Sequence, residues 1–244
     1  MKRFFLVAWL TLTLAVAGGA GADPVAAPAV KAGDTWTYRT TTEKGPTGWT
    51  QARDEVSVSR VTGSSIYYGT KAAGSTQAPR EAFAGLDWSR VRDIAGTETV
   101  VNRPLAFPLS AGKRWEVTYT EPHPNKKFRS EQWSHRYTVV GYETVEVPAG
   151  KYTALKVEEE GHWTAEFEPA QTVVQGAEVS ANATTLVTNA QKARTEPASG
   201  RTYKAFWYVP AIKRWVKSVE EYYGSDGVRN ERYTQELESF SAAP

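Results

Sequence analysis

The chain has no cysteine, and its one methionine is Met1. Disulfides, thiol nucleophiles, Fe–S clusters and cysteine-based zinc sites are therefore excluded. Histidine is scarce: His123, His135 and His162 are the three present. No H-E-x-x-H string occurs, and beyond residue 22 there is no G-x-S-x-G, Walker-type or dinucleotide-binding glycine pattern. Leucine is also sparse, with six copies after residue 22. No apolar run after the N-terminus is long enough to cross a bilayer. Once Lys2 and Arg3 are set aside, basic and acidic residues balance at 27 each. The field of a nucleic-acid binder is thus missing.

The N-terminus has the form of an export signal. Lys2 and Arg3 precede an apolar run, Phe4 to Ala17, and Ala20-Gly21-Ala22 is a small-residue cleavage site. Cleavage after Ala22 leaves 222 residues with Asp23 first, a periplasmic or secreted product. A chain of that size buries roughly 70% of its unfolded surface, so it needs no disulfides.

Residues 23–32 are an Ala/Pro-rich lead-in, extended and mobile by composition. From Gly33 to about 240 the chain reads as one all-β domain, rich in Val, Thr, Tyr and Trp. No long window carries period-3.6 apolar spacing. Strands are predicted at 34–42, 49–60, 65–71, 86–91, 97–101, 113–121, 131–147, 151–161, 202–209, 212–223 and 228–240, with a short helix as the other reading of 86–91. The architecture expected is a curved antiparallel sheet, a half-barrel or a two-layer β arrangement.

Val147-Pro148-Ala149-Gly150 and Trp207-Tyr208-Val209-Pro210 each join two strands at a turn. Parity around the first turn is clear. Leu155 and Val157 fall on one face, Lys156 and Glu158 on the other. Ser225-Asp226-Gly227 signals a third reversal. Gly33-Asp34-Thr35-Trp36 resembles Gly112-Lys113-Arg114-Trp115, which suggests two pseudo-repeats, 33–110 and 111–240. A chance match of two strand starts weighs about as much. Residues 164–200, nearly without aromatics, form a long excursion.

Candidate chemistry is thin. His135 and His162 fall near each other across the Val147–Gly150 hairpin, but a metal there needs a third ligand such as Glu160 or Glu166. Two polar residues at a strand end is the preferred reading. Glu158 and Glu160 share a face at a spacing that suits a paired-carboxylate hydrolase. A solvated face opposite Lys or Arg on a neighbouring strand is the preferred reading. Neither a metal, a cofactor nor a catalytic residue is expected, so the chain reads as non-enzymatic.

Aromatics are the anomaly: eight Trp lie beyond residue 22, beside twelve Tyr. They read either as the bulk of a Leu-poor core or as the lining of a ligand site. Trp207, Tyr208, Trp215, Trp133 and Trp163 are the candidate ligand-binding residues. Adjacent Trp207 and Tyr208 point to opposite faces, which places one ring outside the main core. The expected ligand is hydrophobic or amphipathic, and the expected partners are a lipid, a glycan or an envelope protein. An interaction subunit of an envelope assembly is the alternative.

Phe107-Pro108-Leu109, Gly112-Lys113-x-Trp115, Val147 to Val157, Trp207-Tyr208-x-Pro210 and Trp215-Val216-Lys217 together resemble a family of uncharacterised bacterial secreted proteins, in part termed TapB-like. The resemblance implies an all-β envelope protein with a strongly curved antiparallel sheet. It brings no catalytic residues with it. The 164–200 excursion departs from the family pattern.

Overall fold

The computed structural model describes residues 23–169 and 197–244. The expected export signal and most of the 164–200 excursion lie outside them. Among the described residues there are twelve strands: β1 (Thr35–Lys44), β2 (Trp49–Val61), β3 (Ser65–Ala72), β4 (Arg80–Gly85), β5 (Arg90–Ile94), β6 (Thr97–Asn102), β7 (Arg114–Asn125), β8 (Phe128–Val147), β9 (Gly150–Phe167), β10 (Ala198–Val209), β11 (Arg214–Tyr223) and β12 (Arg229–Ser241). Ten form one antiparallel sheet in the order β4-β3-β2-β1-β12-β11-β10-β9-β8-β7, and β5 and β6 form a separate hairpin. The sheet is open: β4 and β7 are its edges. The all-β reading holds. Among the described residues, no helix is long and apolar enough to cross a membrane.

Two strand expectations change. Residues Arg80–Gly85 form β4, which the alternation did not signal. The 86–91 segment is neither strand nor helix at its start. It turns at Leu86 and Asp87, and β5 begins at Arg90. Asp87 Oδ1 accepts the Ser89 N–H (3.0 Å), an Asx turn that fixes the reversal.

The predicted hairpins are where they were expected. Val147 pairs with Gly150, so Pro148 and Ala149 are the whole loop, and Gly150 takes φ +128°. The β10–β11 turn runs through Pro210–Ile212 and ends at Lys213 in the left-handed region. The two G-x-x-W strings open β1 and β7 through one motif. Gly33 N–H donates to Val58 O and Val58 N–H to Asp34 O; Gly112 N–H donates to Val139 O and Val139 N–H to Lys113 O. Both glycines have positive φ, +95° and +81°, which a side chain resists.

One face of the sheet, here the inner face, carries Trp36, Tyr38, Tyr137, Val139, Leu155, Val157 and Phe206, all buried. The chain between β4 and β7 crosses this face. Leu105 and Leu109 are fully buried in it. Trp88 packs on Trp36, Tyr68 and Trp215, and Phe107 on Tyr208. Lys113 Nζ pins the crossing by donating to Ala106 O (2.5 Å) and Pro108 O (2.8 Å). The middle of the sheet is therefore filled by the protein's own side chains.

Candidate functional site

Register builds an aromatic shelf on the inner face of β7–β9, away from the plugged centre. Trp133 pairs with Tyr119 on β7 and with Trp163 on β9, and Trp163 pairs with Gly200 on β10. Alternation sends all three rings to one side. Trp133 lies nearly parallel to Tyr119 (centroids 6.1 Å, 13°) and to His135 (5.3 Å, 14°). Trp163 continues the row at 6.1 Å from Trp133. Phe128 joins it at 6.4 Å, and Phe167 lies 5.1 Å from Phe128. Gly200 is the local reason Trp163 can lie across β10: a Cβ there would meet the indole and the Tyr223 carbonyl. Tyr119, Trp133, Trp163 and Phe167 are half-buried.

Charges frame the shelf. Arg92 of the β5–β6 hairpin binds Glu121 (2.6 Å), and its guanidinium lies 5.9 Å from the Tyr119 ring. Lys127 sits over Phe128 and Phe167. Burial, joined by the nearby Glu121 charge, holds the Glu131 carboxyl above its ordinary range against the opposing pull of Trp133 and Arg92.

A row of buried polar groups adjoins the shelf. Glu159 is fully buried and pairs with Tyr137 and Lys204 on its two sides. Its Oε1 accepts from His135 Nδ1 (2.6 Å) and from Thr202 Oγ1 (3.0 Å), while Oε2 is buried without a hydrogen-bond partner among the described residues. Gly161 stands between His135 and Thr202 in register, and a Cβ there would overlap the Glu159 carboxylate. The glycine makes room for the acid to lie flat. On the far side of Lys204, its Nζ is 3.8 Å from Glu220 Oε2, which also accepts from Tyr222 OH (3.0 Å). Tyr137 OH donates to Asn102 Oδ1 (2.7 Å) under a stacked Trp115 (5.2 Å, 3°). Burial, with the Glu159 charge added, pushes the Tyr137 phenol far above its usual range.

Thr202 and His135 both donate to the same Glu159 oxygen. A nucleophile relay needs the hydroxyl on the imidazole instead. The cluster reads as a rigid buried tie beside the shelf. Among the described residues, no group of three or more His, Asp or Glu is placed to hold a metal. His135 pairs with Gly161 and His162 with Ser134, so the two imidazoles point to opposite faces.

Of the five sequence candidates, Trp133 and Trp163 come together in the shelf. Trp207, Tyr208 and Trp215 lie elsewhere, each less than a tenth exposed. Tyr208 and Trp215 pack in the inner core. Trp207 takes the outer face, beneath the ammonium groups of Lys156 (5.1 Å) and Lys217 (5.9 Å). Opposite faces were expected for Trp207 and Tyr208; burial of both was not. Sequence reasoning missed Tyr119, Phe128, Phe167 and Glu159. The signal for Glu159 was present, because it shares parity with Leu155 and Val157.

The fold and shelf define an all-β protein built on one open sheet with a ring-lined outer portion. No family model matches the chain, and no curated protein matches it. Similar solved structures include a candidate exported protein with a YmcC-like fold from Bacteroides fragilis, 15% identical over 90% of this chain and 100% of that one, TM-score 0.42. A candidate lipoprotein from Parabacteroides distasonis is 14% identical over 90% and 100%, TM-score 0.43. The hypothetical lipoprotein YmcC from Escherichia coli is 12% identical over 86% and 85%, TM-score 0.31.

Proposed function

We propose that this is an exported, non-enzymatic binding protein of the bacterial envelope that holds a hydrophobic or amphipathic ligand on the Trp133–Trp163 shelf. The observation that carries the reading is the continuous half-buried ring row from Tyr119 to Phe167, set on one face by strand register. Ring faces offer apolar contact, and the Lys127 and Arg92 cations at the margin suit a polar head. The export signal supports the compartment.

The test is extraction of the protein purified from periplasm, followed by mass spectrometry, and titration with palmitate read by tryptophan fluorescence. A co-purified amphiphile and saturable palmitate quenching are expected, both lost in a Trp133→Ala/Trp163→Ala variant whose circular dichroism is unchanged. An empty extract with no palmitate response, or a variant that binds as well as the parent, overturns the proposal. N-terminal sequencing of the periplasmic protein is expected to read from Asp23.

A further inference from the structure

The outer face of β7–β11 carries a second feature, independent of the shelf. Two adjoining grooves of about 560 and 590 Å³ share Arg136 and Glu160 as their common wall. Arg201, His162, Tyr203 and Tyr223 line the first; Arg114, Glu116 and Glu158 line the second. Register explains the grouping. Glu160 pairs with Arg136 and Tyr203, and His162 pairs with Arg201, so these side chains stand on one face in two neighbouring rows.

The acids and bases of this face meet different fates. Glu158 is held by Lys156 (2.9 Å) and Tyr203 OH (2.8 Å). Glu221 is held by Arg229 (3.0 Å), Arg232 (3.4 Å) and Tyr223 OH (2.7 Å). Glu116 accepts from Ser134 Oγ (2.8 Å). The side chains of Arg114 and Arg136, by contrast, make no hydrogen bond or ion pair among the described residues, although Arg136 faces Glu116 and Glu160 in register. The Arg201 guanidinium sits over the Tyr223 ring at 3.8 Å and binds no carboxylate among the described residues. Glu158, Glu221 and Glu116 are thus engaged, while the guanidiniums of Arg114 and Arg136 are open and that of Arg201 keeps its hydrogen-bond donors free.

We propose that this double groove binds an anionic polysaccharide, a sugar chain bearing carboxylate or sulfate groups. Each open guanidinium presents a planar donor fork that matches either anion. The three arginines span β7 to β10, about 14 Å at the usual strand spacing, which is the reach of a chain and not of a single small anion. Tyr203 is tethered through its hydroxyl to Glu158, so its ring is fixed for stacking on a sugar C–H face. A bilayer surface touches protrusions, whereas a chain reaches the floor of a groove.

The full chain should be titrated calorimetrically with polygalacturonate and dextran sulfate, with uncharged dextran and phosphatidylglycerol vesicles as the other arms. Saturable binding of an acidic chain, none of dextran, and at least tenfold weakening in Arg136→Ala/Arg201→Ala are expected. Arg60→Ala, on distant β2, should leave the affinity unchanged. Equal loss in Arg60→Ala marks nonspecific charge and overturns the proposal. So does unaltered binding in the double variant, or binding of vesicles without either polysaccharide. The arginines are exposed, and the unfolding midpoint of each variant confirms that its fold is intact. Palmitate binding on the opposite face is expected to survive in the double variant, which separates this site from the shelf.

Discussion

Asp34 shows how much one side chain can tie together. It is fully buried, and its carboxylate receives Lys213 Nζ (2.9 and 2.8 Å), Lys31 N–H (2.8 Å) and Ala243 N–H (2.9 Å). Burial pushes its pKa up, but Lys213 and the two backbone donors outweigh that and hold it below the usual 3.8. A folded value below the unfolded one stabilises the fold above about pH 4 and loses that contribution as pH falls through the folded value. Asp34→Asn should therefore cost about 3 kcal/mol at pH 7. Urea midpoints of parent and variant should draw together as pH falls below about 4; a constant gap contradicts the assignment.

Gly161 makes the same argument by omission. An added methyl meets Glu159, Thr202 and His135 at once. Gly161→Ala should cost roughly 1–3 kcal/mol. Gly63, with nothing near its would-be Cβ and no positive φ, should tolerate Ala within about 0.5 kcal/mol. Thermal unfolding of the two variants side by side checks the contrast.

At the scale of elements, most of the sheet was legible because strand parity was. Leu155, Lys156, Val157 and Glu158 alternate apolar and charged, and Pro148, Gly150 and Gly227 mark the turns. The shelf was half legible. Trp133 and Trp163 stood out by residue type, but their partnership depends on register, and Phe128 and Phe167 lie at strand ends where alternation gives little warning. β4 was missed because Arg80-Glu81 opens it on an exposed edge, where no apolar face demands burial. The β4–β7 crossing was illegible for a related reason: a segment without regular structure has no period. Its burial is nonetheless deep. Leu109→Ala is expected to cost about 2–5 kcal/mol, whereas Val140→Ala, on half-exposed β8, should change stability by no more than about 0.5 kcal/mol. Chemical denaturation of both tests whether the crossing belongs to the core.

In the whole molecule, the first and last strands lie side by side within the sheet and not at its edges. β1 pairs with β12, so the first and last strands close the contact between two meanders, and the edges β4 and β7 come from mid-sequence. The crossing segment links those edges over the inner face and keeps the sheet folded around it. Residues before β1 complete the cover. Val25 N–H donates to Leu109 O (2.7 Å), Leu109 N–H returns to Val25 O (2.8 Å), and Val30 packs against the core. The lead-in thus touches the same crossing that fills the sheet, and Lys31 reaches Asp34 beside Ala243 from the C-terminus. A chain that begins at Ala32 loses both Val25–Leu109 hydrogen bonds and the Asp34 N–H bond to Lys31 O, uncovers Leu109 and frees one side of the Asp34 carboxylate. Each lost bond is worth about 1 kcal/mol, and exposing part of a buried Leu adds about as much. The truncated protein should be about 4 kcal/mol less stable than one that begins at Asp23, measured by urea denaturation. Its shelf and outer groove lie on β7–β11 and should bind as before. Equal stability of the two forms would mean that the crossing holds its place without the lead-in.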